Sequence, residues 1–208
     1  PAGDRRVERL DLPDQRAPHG QVAAIPDPTG PAFALRAHDH HERAARKHEP
    51  IQVDLAKTVE PDRDYVLPFG KGAVVLEASE EAMDSGESMC IITYGMGVYW
   101  AKNAAKQFPG QVEIIDVRTI YPLDEELIYN TVKKHGKCLV LTEEQLRNSF
   151  CEALAGRIAQ NCFRYLDAPV QTIGALDLPA VPMNMALEAA MLPSADKVAA
   201  KITEMLSW

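Results

Sequence analysis

The chain has 208 residues, 46% apolar and 25% charged, and its 22 basic against 30 acidic side chains leave a net charge of −8. That composition supports a sizeable core and excludes global disorder, and the length suits one domain of ordinary size plus a tail, or two very small domains. The acidic balance excludes non-specific nucleic-acid binding, which needs clustered Lys and Arg. No run reaches the roughly 18 apolar residues of a membrane span, and the first residues lack a basic-then-apolar leader.

Residues 1–63 differ from the rest. They hold eight of the 15 prolines, five of the six histidines and one aromatic, Phe33, at 10 basic minus 11 acidic charges, or −1. Segments such as Pro26-Asp27-Pro28-Thr29-Gly30-Pro31 cannot continue a helix or a central strand. Without a periodic apolar face this part is expected to be a Pro/His-rich arm or linker, not a complete domain, with one helical stretch over 31–47. The run His38-Asp39-His40-His41, with His48 further on, is the only metal-like cluster. His38 and His41 would share a helix face, but a structural metal site needs three or four fixed ligands. A solvated face explains the run, and no metal site is assigned.

Residues 64–208 hold the other 12 aromatics and alternate strands with helices. Short apolar runs bounded by Gly, Pro or polar residues mark strands at Ala73–Glu77, Met89–Tyr94, Val112–Asp116, Lys137–Thr142 and Val170–Gly174. Between them Asp124 is placed to cap a helix that carries Leu127, Ile128, Thr131 and Val132 on one face. Lys133, Lys134 and His135 fill its last turn and Gly136 ends it. Ser149 with Glu152 makes a capping box before Phe150, Leu154 and Ile158. Pro193-Ser194 opens a final helix with Val198, Ile202, Met205 and Leu206 turned inward. Strands separated by helices imply a mostly parallel sheet covered on both faces, a three-layer α/β/α sandwich.

The four cysteines, Cys90, Cys138, Cys151 and Cys162, form no CxxC pair. Cys90 and Cys138 sit in apolar runs, where a thiol acts as a small hydrophobe. A reducing, cytoplasmic setting without disulfides is expected.

Ligands of such sheets bind beyond the carboxyl ends of the strands, and three places there merit attention. Gly95-Met96-Gly97 follows a strand and opens a helix whose free amides could hold an anion; two glycines also serve simply to turn the chain. Asp116 and Arg118 could meet a substrate, or fix a loop or a subunit contact, and ion pairs are often structural. Glu143 and Glu144 could do acid–base work if one pKa were raised, but no nucleophile lies nearby and exposed acids are the default. No P-loop, GxGxxG, HExxH or GxSxG occurs.

Two strings carry more information than these patterns: Ile91-Ile92-Thr93-Tyr94-Gly95-Met96-Gly97-Val98 and Val112-Glu113-Ile114-Ile115-Asp116-Val117-Arg118-Thr119-Ile120-Tyr121-Pro122-Leu123-Asp124. In order around them stand Tyr65-Val66-Leu67-Pro68-Phe69-Gly70-Lys71-Gly72, Val132-Lys133-Lys134-His135-Gly136-Lys137, Leu166-Asp167-Ala168-Pro169-Val170 and Leu192-Pro193. Together, over about residues 60–208, they resemble the transketolase C-terminal-like domain of the β part of thiamine diphosphate-dependent 2-oxo acid dehydrogenases. These are the decarboxylating components of the pyruvate and branched-chain 2-oxo acid multienzyme complexes.

The resemblance implies a five-stranded sheet whose first strand is antiparallel to the others. It implies an oxidoreductase part inactive on its own, because the pyrimidine- and diphosphate-binding domains that hold thiamine diphosphate and magnesium in the parent enzyme do not resemble residues 1–63. No catalytic, cofactor or metal residue carries over onto this chain. The expected role is assembly, with other subunits of an oligomer and with the acyltransferase core as partners. Leu206 and Trp208 at the C-terminal end would be docking residues, and the alternative is that Trp208 closes the domain's own core. Gln145-Leu146-Arg147-Asn148-Ser149-Phe150 departs from the Gly-rich stretch of many relatives and resembles forms with fused α and β parts. The rival reading of the whole is a stand-alone anion- or nucleotide-binding doubly wound module.

Overall fold

The chain divides into two units, residues 1–61 and 62–208, and a computed structural model describes residues 63–208. The expected arm, its helix over 31–47 and the His38–His48 run lie outside the described residues.

Five strands form one sheet: β1 Ala73–Leu76, β2 Met89–Thr93, β3 Val112–Asp116, β4 Cys138–Gln145 and β5 Gln171–Ala175, in the order β1-β3-β2-β4-β5. β1 runs antiparallel to β3. The β2–β3, β2–β4 and β4–β5 pairs are parallel. The sheet is therefore the expected one, including its single antiparallel strand. The expected strand limits hold to within a few residues, the widest miss being β4, which runs three residues longer to Gln145.

Helices α1 Glu80–Asp84, α2 Met96–Ala105, α3 Glu125–His135, α4 Phe150–Cys162, α5 Met185–Met191 and α6 Ala195–Leu206 complete the unit, with a 3-10 turn at Phe163–Tyr165. Alternation along the strands makes the three layers. Met89 and Ile91, Val112 and Ile114, and Leu139 and Leu141 face α2 and α6 on one side. Cys90 and Ile92, Ile115, and Cys138 and Val140 face α3 and α4 on the other. α6 follows the expected spacing: Val198, Ile202 and Met205 are fully buried, and Leu206 packs at the margin.

The caps are as written in the sequence, with one change. Asp124 accepts from Leu127 N, and Gly136 closes α3 at φ +70°. Ser149 Oγ accepts from Glu152 N, but Glu152 Oε2 reaches past it to Asn148 N at 2.8 Å. The reciprocal bond of the expected capping box thus lands one residue earlier, where Asn148 takes a φ of +57°. α1 and α5, of five and seven residues, were not expected.

Candidate functional site

From β2 the chain passes through α2 to β3, then crosses back over β2 through α3 to reach β4. The connections leaving β2 and β4 therefore diverge, and the usual ligand crevice of such sheets opens between their carboxyl ends. Gly95 stands there at φ +57° and ψ −129°, as the N-cap of α2. Only glycine enters that region without strain. A Cβ at Gly95 would meet no atom within 4 Å, so its requirement is purely conformational. A close approach occurs at Gly97, where a Cβ would fall on Thr93 Oγ1. That hydroxyl is buried and finds no hydrogen-bond partner. Val98 and Ala101 turn inward while Lys102 is exposed, as the spacing requires.

The protein's own side chains bond to one another at the crevice. Tyr94 and Thr142 share a hydroxyl–hydroxyl hydrogen bond of 2.9 Å, and the Tyr94 hydroxyl also donates to Glu144 Oε1 at 3.3 Å. The Tyr94 ring meets Phe150 edge-on at 5.9 Å. Burial, supported by the Glu144 charge and opposed by the Thr142 hydrogen bond, pushes the Tyr94 phenol up from its usual value. Glu144 Oε1 accepts from Cys151 N at 3.3 Å, in the first turn of α4. A carboxylate is thereby seated where a helix start would otherwise receive a phosphate. At α2 the amides of Gly97 and Val98 already donate to the carbonyls of Tyr94 and Gly95, at 3.2 Å each.

The other sequence candidates do not converge on the crevice. Asp116 Oδ1 accepts from the Arg118 backbone amide at 3.0 Å, bending the loop so that Arg118 takes a φ of +57°. The Arg118 guanidinium is exposed, and neither it nor the exposed Glu143 forms an ion pair among the described residues. Around them Thr119 Oγ1 accepts from Gly70 N and donates to Pro122 O, and Asp124 Oδ2 accepts from Gly72 N. The segment leading into β1 is thus tied to the loop after β3. Leu206 packs against the core, whereas Trp208 is exposed and does not close it.

A polar centre that sequence reasoning missed lies at the opposite, amino ends of the strands. Glu113 of β3 is buried, with Lys134 Nζ donating to its Oε2 at 2.7 Å. His135 Nε2 stands 3.2 Å from the same oxygen, off the hydrogen-bond axis. Ser88 Oγ lies 2.7 Å from His135 Nδ1, and Lys137 Nζ donates to Gly86 O at 3.1 Å. Burial alone would push the Glu113 carboxyl up, but His135 and Lys134 outweigh it and hold the carboxyl down at about 2. A Glu within an otherwise apolar strand, Val112-Glu113-Ile114-Ile115, was the available signal, because a buried charge needs a partner. Ser, His and Glu in contact resemble a hydrolytic triad only in composition: Ser88 and the His135 ring are sealed from solvent.

Neither group of residues suits thiamine diphosphate with magnesium. Among the described residues no three His, Cys, Asp or Glu side chains are placed to hold a metal ion, and the crevice presents Glu144 to any incoming anion. No helix among them is long and apolar enough to cross a membrane.

The arrangement defines a three-layer α/β/α domain of mixed sheet, at whose crevice Tyr94 bonds to Thr142 and Glu144 and meets Phe150. Residues 79–198 match the family described as "Transketolase, C-terminal domain", and the chain belongs to that family. It is similar to the 2-oxoisovalerate dehydrogenase subunit beta of Bacillus subtilis (strain 168), 34% identical over 171 residues, or 81% of this chain and 47% of that one. It is also similar to the pyruvate dehydrogenase E1 component subunit beta of Rhizobium meliloti (strain 1021), 35% identical over 138 residues, 65% of this chain and 28% of that one. The chain thus spans about half the length, or less, of these relatives. Among solved structures it matches a split-gene transketolase titled an inactive β4 tetramer, with a TM-score of 0.55 at 20% identity, over 70% of this chain and 45% of that one. That match concerns the fold.

Proposed function

We propose that residues 64–208 are the C-terminal assembly domain of the β part of a 2-oxo acid dehydrogenase decarboxylating component, and that residues 1–63 are its arm or linker. The parent reaction is oxidative decarboxylation of a 2-oxo acid with acyl transfer to lipoyl, in the cytoplasm. There thiamine diphosphate, held with magnesium by other parts of the enzyme, stabilises the carbanion. The observation that carries this reading is the family match over 79–198, and the contacts of Glu144 with Tyr94 and the start of α4 support it. Asp116, Arg118 and Glu143 are assigned to the loop and its subunit contacts. Leu206 and Trp208 are assigned to docking, with other subunits and the acyltransferase core as partners.

The rival, a stand-alone anion- or nucleotide-binding module seated on Gly95, Met96 and Gly97, is disfavoured by the engaged amides of α2 and by the Glu144 carboxylate. A decarboxylation assay on the 208-residue chain, with pyruvate or 2-oxoisovalerate, magnesium and thiamine diphosphate, tests the proposal. No turnover above background is expected, and turnover would overturn the assignment of the chain to assembly alone.

A further inference from the structure

All four cysteines and all seven methionines of the chain fall between residues 83 and 205, so all of its sulfur lies within the described unit. The two kinds of sulfur are placed in opposite ways. Every cysteine is buried. The Cys90 and Cys151 thiols donate to the carbonyls of Lys137 and Val140. Burial pushes the Cys90 and Cys162 thiols up, and burial with the Glu144 charge raises that of Cys151 to about 12. Oxidation of a cysteine needs an exposed thiolate, and these provide none.

The methionines divide. Met89, Met191 and Met205 are buried, Met83 is half-buried, Met96 is 46% exposed, Met185 is 86% exposed and Met183 is exposed in full. Met183 and Met185 flank Asn184, whose Oδ1 accepts from Ala186 N at 2.9 Å and Leu187 N at 3.4 Å to cap α5. Val181 and Leu187, close by in the chain, are exposed as well. A thioether has no proton to lose, so its nucleophilicity does not depend on a pKa.

We propose that Met183 and Met185 form an oxidant-sensitive modification site, at which a peroxide-class oxidant converts both thioethers to sulfoxides ahead of every cysteine of the chain. In each step a sulfur lone pair attacks a peroxide oxygen, an S–O bond forms and the O–O bond breaks. The sulfur is oxidised by two electrons and hydrogen peroxide leaves as water. The product replaces two apolar tips with hydrogen-bond acceptors, making the α5 surface polar, and a sulfoxide reductase reverses it. This inference does not rest on the proposed function.

The test is dilute hydrogen peroxide on the 208-residue chain, with the oxygen added at each residue followed over time by peptide mass spectrometry. Met183 and Met185 are expected to react roughly tenfold or more faster than Met89, Met191 and Met205, as accessibility dictates, with Met83 and Met96 between. All four thiols should remain titratable after denaturation of the quenched sample. The double variant M183L/M185L, substituted only at exposed positions, should lose the fast uptake of two oxygen atoms and keep the native circular dichroism spectrum. Oxidised cysteine appearing first, buried methionines keeping pace with Met183, or fast uptake persisting in the double variant would each overturn the proposal.

Discussion

At the amino ends of the parallel strands Glu113, Lys134, His135 and Ser88 are drawn into one buried polar cluster. At the carboxyl ends Glu143 and Glu144 stay exposed, and Tyr94 is only partly covered. The difference is physical. A carboxylate surrounded by sheet and helix must be paired to exist there, so the amino end is rigidly specified. At the carboxyl end water meets that requirement, and the exposed Glu144 caps α4 and accepts from Tyr94. At the end that carries ligands in related architectures the polar side chains of this domain bond to one another, while the buried carboxylate Glu113 and its partners lie at the other end.

The largest effect should come from breaking the amino-end cluster. Glu113→Ala leaves the buried His135 and Lys134 without their carboxylate and should cost about 3 kcal/mol in urea unfolding, near the low end for a broken buried pair because Lys134 is partly exposed. The same cluster sets a pH dependence. Glu113 titrates near 2 in the folded chain against 4.5 as its ordinary value, so its stabilisation is complete above about pH 4.5 and fades as pH falls toward 2. Wild type should lose urea resistance across that window, and Glu113→Gln should flatten the slope. An unchanged slope would mean that the cluster contributes nothing.

Next in size is the turn after β2. Gly95→Val should destabilise by about 2 kcal/mol through backbone strain alone, whereas Lys102→Ala should stay within about 0.5 kcal/mol. Equal midpoints for the two variants would contradict the left-handed turn. Thr93→Val works in the opposite direction: replacing a buried, unpartnered hydroxyl with a methyl of similar shape should stabilise the domain by about 1 kcal/mol. A loss of stability there would reveal a partner for the hydroxyl. The smallest effect belongs to the carboxyl end. Glu144→Gln keeps an acceptor for Cys151 N and Tyr94 while removing the charge at α4, and should change stability by less than about 1 kcal/mol.

The same contrast governs what the sequence alone could reveal. The caps and apolar spacings of α3, α4 and α6 are local, so the roles of Asp124, Gly136, Ser149 and Val198 are legible in the residues around them. The antiparallel sense of β1 rested on the family resemblance, since a four-residue strand carries no mark of its direction. α1 and α5 escaped because helices of five and seven residues leave too few turns for a periodicity to register. Both ends of the sheet depend on contacts between residues distant in the chain. Glu113 meets a helix 21 residues on, and Tyr94 meets Glu144 at a separation of 50. Spacing cannot reveal such pairs. A Glu inside an apolar strand at least raises the question, whereas Glu144 reads simply as one more exposed acid.

We expect this domain to serve assembly and to bind no ligand at the crevice. Calorimetric titration of the 208-residue chain with inorganic phosphate, ATP and magnesium thiamine diphosphate tests it most directly. No saturable heat is expected for any of the three. Saturable binding that Gly95→Val abolishes would contradict it and place a nucleotide or phosphate site at the turn after β2.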